Sequence, residues 1–401
     1  MKKKIVRAIV LLAVVLTPAI CTGQTNTASL RQAAEKGDAA AQYKLGFCYM
    51  KGEGVKQNDA EGVAWFRKAA AQGDADGQAS LGVCNDLGAG VPQDFAEAVK
   101  WYRKAAEQGN ALAQYLLGMA YFNGHGVTRN YDEGATWCHK AAEQGLANAQ
   151  YALGAAYAAG QGVQKDDAEA AKWYRKAAEQ GEANAQYLLG AFYAAGKGLP
   201  QNIPESVVWI RKAAEQGYSL AQRSLGLAYQ DGQGVPQNKT EALIWFRKAA
   251  AKGDAVSQNI LGLAYAEGHG VQKDYEEALT WFRKAVDQGY ANAQYNLGVA
   301  YYRGQGVAQN YNEAIKLFLK AAEQGKAAAQ YNLAMLYHDG LVVPRDLAEA
   351  YKWLAVAAES GLPQGVEYRD KLKIQMTPDQ YAEGQRRAKA FVPQLPPVPN
   401  Q

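Results

Sequence analysis

The sequence predicts an all-α protein, an α/α superhelical solenoid of nine 36-residue helix-turn-helix repeats with a C-terminal helical cap. A glutamine recurs every 36 residues without insertion or deletion, nine times from Gln42 to Gln330. All eight tryptophans of the chain occupy one position of this repeat, from Trp65 to Trp353, and Leu317 is the single exception. Self-similarity at a fixed period of roughly 20 to 50 residues is typical of stacked-repeat proteins.

The first helix of each repeat, helix A, is predicted from about Ala39 to Lys51 in the first copy. Gln42, Leu45 and Tyr49 recur at i, i+3 and i+7, which is the spacing of one helical face. We expect Gly52 to end the helix, because glycine adopts the left-handed conformation at this place without penalty.

The second helix, helix B, is predicted from about Asp59 to Gln72. In all nine repeats its start carries Asn or Asp followed three residues later by Glu, as at Asn58 and Glu61, which indicates a capping box. The paired Arg103 and Lys104 of the second repeat are predicted to lie on a solvated outer face of helix B.

Helix A has two flanks of different size on a helical wheel. The flank of Ala41 and Cys48 is mostly small, which lets neighbouring helices approach closely. The opposite flank is larger and more variable, and we expect it to line the inner surface as a partner-binding groove, a role that suits tyrosine. The alternative is that these tyrosines only fill the spaces between neighbouring helices A. The candidate groove residues are Tyr43, Phe47, Tyr115, Met119, Phe122, Tyr151, Tyr187, Tyr295, Tyr302 and Tyr331.

Residues 1–23 have the composition of a secretory signal peptide. Four basic side chains precede an apolar run from Ile9 to Leu16 that is too short to form a stable membrane anchor. We therefore expect an exported, periplasmic protein with no transmembrane anchor in the mature chain. Lipid attachment through Cys21 is one alternative, although Ile20 stands where the attachment motif has a small residue, and secretion is another.

The remaining chain divides by its periodicity. Residues 24–37 are interpreted as a half repeat that caps the N-terminus, and residues 38–361 as the nine repeats. Residues 362–391 are predicted to form two capping helices, the second of which begins at Thr377 followed by proline. Residues 392–401 are predicted to be a disordered proline-rich tail.

Composition and motifs argue against several classes of site. The chain has 43 basic and 39 acidic residues, and residues 1–23 hold four basic and no acidic ones, so the mature chain is formally neutral. A clustered basic face for nucleic acid is therefore not expected. The Gly-x-Gly elements follow helices and not strands, which argues against nucleotide binding. Histidine spacing suits no metal site and the serines match no hydrolase motif, so we expect no catalytic residue, metal or cofactor.

Cys48, Cys84 and Cys138 lie beyond the predicted signal peptide. Cys48 and Cys84 occupy the same position in adjacent repeats, where stacked helices lie roughly 8–10 Å apart. A disulfide needs Cα atoms within about 7 Å. We therefore expect all three cysteines to be small, unpaired core residues.

The pattern A-Q-Y-x-L-G-x-x-Y-x-x-G-x-G-V, followed by [ND]-x-x-E-A-x-x-W-[FY]-R-K-A-A-E-Q-G, resembles the Sel1-like repeat family, a relative of tetratricopeptide repeats, from about Thr27 to Gly361. The resemblance implies a non-catalytic adaptor, often in the bacterial envelope, that binds a protein or peptide partner of unknown identity in a concave groove. The alternative that it implies is a hydrolase acting on β-lactams or cell-wall material. Family members that bind penicillin-like compounds carry a cysteine pair in each repeat, which this chain lacks.

Overall fold

A computed structural model describes residues 24–394, which form 21 α-helices and contain no strand. The predicted signal peptide and the last seven residues of the predicted tail lie outside the described residues. No helix within residues 24–394 is long and apolar enough to cross a membrane. The chain divides into two compact units between Lys212 and Ala213, and each unit is described on its own.

Unit 1 begins with α1 (Gln24–Glu35) and continues with helix pairs. Its helices A are α2 (Ala39–Lys51), α4 (Ala75–Leu87), α6 (Ala111–Asn123), α8 (Ala147–Ala159) and α10 (Ala183–Ala195). Its helices B are α3 (Asp59–Ala71), α5 (Phe95–Glu107), α7 (Tyr131–Glu143), α9 (Asp167–Glu179) and α11 (Ile203–Glu215), of which the last runs across the division.

Unit 2 continues the same pattern and ends with two further helices. Its helices A are α12 (Ser219–Asp231), α14 (Ala255–Glu267), α16 (Ala291–Arg303) and α18 (Ala327–Asp339). Its helices B are α13 (Lys239–Ala251), α15 (Tyr275–Val286), α17 (Tyr311–Glu323) and α19 (Leu347–Glu359), and the cap is α20 (Pro363–Gln375) and α21 (Pro378–Ala390). In each unit, helix A packs on helix B of its own repeat, and helix B packs on the next helix A. The predicted stack of helical hairpins with a helical cap is confirmed.

The start of helix B is capped as predicted. In the first repeat, the side chain of Asn58 accepts a hydrogen bond of 3.2 Å from the backbone N–H of Glu61. The glutamate side chain has a different role from the one that a capping box gives it. In four repeats its carboxylate accepts a hydrogen bond from the tryptophan indole four residues later, as Glu205 does from Trp209 at 2.8 Å. A complete capping box is present at Thr377, where α21 begins.

A glycine in the middle of helix A allows close contact with helix B. A Cβ atom added to Gly226 would lie 2.6 Å from the ring of Phe246, which is closer than real Cβ contacts. In the ninth repeat Ala334 replaces this glycine and Leu354 replaces the aromatic residue, and both are buried. In the sixth repeat, the ring of Phe246 therefore leaves no room for a side chain at Gly226.

A buried glutamine of helix A joins three helices. The Nε2 of Gln150 donates to the carbonyl oxygen of Ala142 in α7 at 3.2 Å, and its Oε1 accepts from the Nε2 of Gln180 after α9 at 2.8 Å. Both hydrogen bonds recur at Gln42, Gln78, Gln114 and Gln258. These side chains are at most 5% exposed, and a buried amide must be paired. This glutamine ladder therefore fixes how each repeat sits on its predecessor.

One rung of the glutamine ladder is missing in the sixth repeat. Lys252 stands where seven repeats have glutamine and the ninth has Ser360, and its Nζ donates to the carbonyl oxygen of Gly217 at 2.5 Å. The Oε1 of Gln222 is buried without a hydrogen-bond partner among the described residues. We expect Lys252→Gln to raise the free energy of unfolding by about 0.5–1.5 kcal/mol, because it supplies the missing donor.

Urea denaturation followed by circular dichroism measures this change as a higher midpoint. Lys252→Met is the matched control, since it removes the charge without supplying a donor. An equal gain in both variants would show that the unpaired Oε1 of Gln222 is not the cause.

The C-terminal cap is fixed by aromatic and ionic contacts within unit 2. The rings of Trp353 and Phe391 meet edge to face, with centroids 5.3 Å apart. The guanidinium of Arg387 on α21 lies 2.8 Å from the carboxylate of Asp346 and 3.0 Å from that of Glu349. The cap thereby covers the face of the last repeat that no further repeat follows.

The cysteines differ from the sequence expectation at one position. Cys84 and Cys138 are free and buried, as predicted, and burial raises the pKa of each thiol to about 12. The expectation of an unpaired thiol is wrong at Cys48, which is disulfide-bonded. The spacing of stacked helices excludes only a bond to Cys84 and leaves other partners open.

Candidate functional site

The candidate tyrosines of unit 1 are half-buried along successive helices A. The ring centroid of Tyr43 lies 6.0 Å from that of Phe66, and the ring centroid of Tyr151 lies 6.0 Å from that of Tyr174. Burial raises the pKa of Tyr43 and of Tyr115 to about 12, and it raises the pKa of Tyr151 as well. Each of these side chains therefore packs within the repeat stack on one side and meets solvent on the other.

The three other candidates of unit 1 differ in exposure. Phe47 is only 4% exposed, with the Nζ of Lys51 4.5 Å from its ring centroid, so it offers no binding surface. Phe122 is half-buried and fills the space beside Gly134, where an added Cβ would lie 2.9 Å from the phenyl ring. Met119 is half-buried as well, so part of its side chain stays accessible.

The candidates of unit 2 lie in three different surroundings. Tyr295 is half-buried, with its ring centroid 5.9 Å from that of Phe318. Tyr302 is 41% exposed. The ring centroid of Tyr331 lies 5.4 Å from that of Tyr368 on α20, so the C-terminal cap covers part of this tyrosine.

In unit 2, side chains that replace the tyrosine have partners in the stack. The guanidinium of Arg223 lies 2.8 Å from the carboxylate of Asp254. The Nδ2 of Asn296 donates to the Oδ1 of Asn259 at 2.8 Å. Variation along the tyrosine column therefore has a structural cause at these two positions, and variation alone does not identify a binding residue.

The strongest surface feature is one that single columns of the repeat do not show. The helices α6, α8 and α10 have 13 residues each and contain no Asp, Glu, Lys or Arg, while every other helix A contains at least one. We call the half-buried apolar and tyrosine side chains on the Tyr115 side of these helices the neutral face. Its members are Leu112, Tyr115, Leu116, Met119, Phe122, Tyr151, Ala155, Ala158, Tyr187, Leu188, Ala191 and Ala194.

Two acidic side chains lie on α4, next to the neutral face. The Oδ2 of Asp86 accepts a hydrogen bond from the hydroxyl of Tyr102 at 3.1 Å, and the Oδ1 of Asp76 accepts one from the Nδ2 of Asn110 at 2.8 Å. Burial raises the pKa of Asp86, although the hydrogen bond from Tyr102 and the nearby His125 act in the opposite direction. Within residues 24–394 neither carboxylate forms an ion pair.

The corresponding side of unit 2 is chemically mixed. A cleft of about 430 Å³ lies between α12, α13 and α14. Apolar and charged side chains both line it, among them Leu243, Phe246, Ile260, Leu263, Asp231, Lys239, Glu267 and His269. No group of three or more His, Cys, Asp or Glu in the part of the chain that the structure describes is arranged to hold a metal ion.

The outer cations of helix B are exposed, as predicted, but they also make specific contacts. The Nη2 of Arg103 donates to the hydroxyl of Tyr121 in the next repeat at 2.6 Å. The Nζ of Lys104 lies 4.3 Å from the ring centroid of Trp101, a cation–π contact. This face therefore contributes to repeat stacking, and its charges are partly engaged.

Comparison with known proteins matches the whole repeated region. The Sel1 repeat profile matches residues 39–74, 75–110, 111–146, 147–182, 183–218, 219–254, 255–290, 291–326 and 327–362. One similar solved structure is that of c5321, a protective antigen of uropathogenic Escherichia coli with an SLR fold. Its sequence is 37% identical, the alignment covers 92% of this chain and 87% of the c5321 chain, and the TM-score is 0.58. The structure of a Sel1 repeat protein from Oxalobacter formigenes is 34% identical in sequence. The alignment covers 82% of this chain and 93% of that chain, with a TM-score of 0.58. Among curated proteins, no sequence matches.

Proposed function

The chain belongs to the Sel1 repeat family, and from this premise we propose that it is a non-catalytic scaffold that binds a protein or peptide partner along its helices A. Sel1 repeat proteins are generally protein-interaction scaffolds. The observation that carries the proposal is the neutral face, where three successive helices A present apolar and tyrosine side chains without a charge. Contiguous apolar surface of this kind on a folded protein marks an interaction site.

Within that face we assign the contact role to the side chains that keep accessible surface. Leu112, Leu116 and Met119 on α6 and Leu188 on α10 are half-buried, as the tyrosines are, and each keeps part of its side chain accessible. The half-buried tyrosines add a broad ring surface and a hydroxyl at low cost in side-chain entropy. Of the ten residues selected from the sequence, Phe47 leaves this role because it is buried.

We further propose that the scaffold works in the bacterial cell envelope, periplasmic after removal of residues 1–23. The basic and apolar composition of that segment supports export. The similarity to a protective antigen of Escherichia coli also supports this location. Fractionation of cells and the intact mass of the mature protein distinguish a soluble periplasmic form from one lipidated at Cys21 or secreted.

Site-specific photo-crosslinking tests the binding surface. A benzophenone amino acid replaces Met119 on helix A or, as the matched control, Val208, which is 46% exposed on helix B. We expect ultraviolet-dependent adducts with a discrete partner from position 119 and not from position 208, identified by mass spectrometry in native envelopes. Adducts from position 208 alone, or from neither position, would refute binding along helices A. Hydrolysis of nitrocefin or peptidoglycan that persists through repurification would refute the non-catalytic assignment.

A further inference from the structure

We propose that the neutral face docks an amphipathic α-helix of the partner, with its apolar side against α6, α8 and α10 and a basic residue at the end that reaches α4. This inference rests on the proposed scaffold function and adds the chemistry of the ligand. The following arguments concern unit 1 alone.

Hydrogen-bonding capacity favours a helix over an extended peptide. The neutral face is made by three helices whose own N–H and C=O groups are paired along their lengths, and its side chains are apolar apart from the tyrosine hydroxyls. Asn148 and Asn184 are further polar side chains on these helices. A strand laid on this surface would bury backbone groups for which the surface has few partners, at a cost of about 1–3 kcal/mol each. A helix satisfies its backbone internally, so it can be buried here without that cost.

The size of the side chains gives the face a shape that suits a helix. On α8 and α10 the half-exposed positions include Ala155, Ala158, Ala191 and Ala194, whereas α6 presents larger side chains such as Leu116. Small residues let the axis of an incoming helix approach to roughly 8–10 Å. The larger side chains of α6 then contact the part of the docked helix that lies nearest to α4.

The charges beside the neutral face are acidic, which indicates a basic residue on the ligand. One of them is Glu182 at the start of α10, whose charge acts on the hydroxyls of Tyr115 and Tyr151. On α4, the helix next to α6, the charged residues are Asp76 and Asp86, both acidic and without an ion-pair partner among the described residues. Among the helices A of unit 1, lysines appear only on α2, one helix further: Lys44, which is exposed, and Lys51, which pairs with Glu53 at 3.5 Å. A lysine or arginine at the α4 end of the ligand would complement these carboxylates, and an acidic residue would be repelled.

Selection from a random library tests this chemistry without knowledge of the natural partner. Twenty-residue peptides displayed on phage are selected against the purified full chain, and the enriched sequences are synthesised. We expect apolar residues at i, i+3, i+4 and i+7, lysine or arginine at one end, and a gain of helical circular dichroism on binding.

Matched variants locate the site. Leu116→Glu and Leu188→Glu place a charge on the neutral face, and Ile260→Glu makes the same change at the same repeat position in unit 2. We expect the first two to weaken binding by about tenfold or more and the third by less than about twofold. Asp86→Asn, with Asp76→Asn as a second variant, should weaken binding of basic peptides by about three- to tenfold. The affinity for control peptides in which glutamine replaces the terminal lysine or arginine should stay unchanged.

Several results would overturn the inference. They are enrichment of extended proline-rich or acidic peptides, no enrichment at all, equal effects of Leu116→Glu and Ile260→Glu, or self-association of the chain that Leu116→Glu abolishes. Photo-crosslinking to the natural partner separates this failure from failure of the proposed function. If adducts at position 119 still form in the Leu116→Glu and Leu188→Glu variants, the helix site is refuted but the scaffold function is retained. If no adducts form at position 119 in the chain without these substitutions, the scaffold function itself is refuted.

Discussion

Replacement of Gln150 by leucine is expected to lower the free energy of unfolding by about 2–3 kcal/mol. The variant removes the side-chain donor of the Ala142 carbonyl oxygen, which keeps only its backbone hydrogen bond from Gly145 at 3.0 Å, and it removes the acceptor of Gln180. A buried polar group that loses its partner costs about 1–3 kcal/mol. The Nε2 of Gln180 keeps its hydrogen bond to the carbonyl oxygen of Gly145 at 2.9 Å, which limits the total.

The sixth repeat supplies an internal control for this prediction. Gln222 already lacks a partner for its Oε1, and only its Nε2 is bonded, to the carbonyl oxygen of Ala214 at 3.1 Å. Urea titrations of Gln222→Leu, alone and combined with Lys252→Gln, form a double-mutant cycle. We expect the leucine substitution to cost about 1 kcal/mol more in the Lys252→Gln background, where the rung is complete. Identical costs in both backgrounds would mean that the ladder does not stabilise the stack through this hydrogen bond.

Gly226→Ala is expected to lower stability by about 1–3 kcal/mol, although alanine is intrinsically the better helix former by about 1 kcal/mol. The added methyl group would lie 2.6 Å from the ring of Phe246, so the two helices must separate or the ring must leave its rotamer. Thermal and urea midpoints measure the loss.

Phe246→Leu is expected to restore part of the stability lost in Gly226→Ala, because the pair then reproduces Ala334 and Leu354 of the ninth repeat. The double variant should therefore be more stable than the sum of the two single effects predicts, by about 1 kcal/mol. Strict additivity would show that the ring is not what excludes a side chain at position 226.

The helices were predictable because every repeat marks its own boundaries. Asn58 and Glu61 mark the start of helix B, and Gly52 takes a left-handed conformation with φ of 76° where helix A ends. The contacts between repeats were not predictable in the same way. The periodicity shows that Gln150 is buried, but it does not show that Gln180, 30 residues away, is its partner. The hydrogen bond from Arg103 to Tyr121 could not be predicted from the sequence either, because an exposed cation has many possible acceptors.

The candidate site was predictable only in part. Sequence columns identify Tyr115 and Tyr151 as large side chains on helix A, and both are half-buried on the expected helices. The same columns wrongly include Phe47, which is buried. A helical wheel places a residue on one flank of a helix but does not show which neighbouring side chains cover it. The neutral face is missed, because its lack of charge is visible along whole helices and is lost when one position is compared across nine repeats.

The repeated ladder has a consequence for how the gene of such a protein can change. Where the ladder is complete, as at Gln150 and Gln258, a repeat presents the same glutamine to its predecessor and a helix-end carbonyl to its successor, so loss of one complete 36-residue copy joins two surfaces that already fit. A deletion whose length is not a multiple of 36 residues would put an unmatched side chain at the buried rung. Unequal recombination between copies is therefore a route by which descendants gain or lose whole repeats, and the number of helices offered to a partner can vary while each junction stays the same.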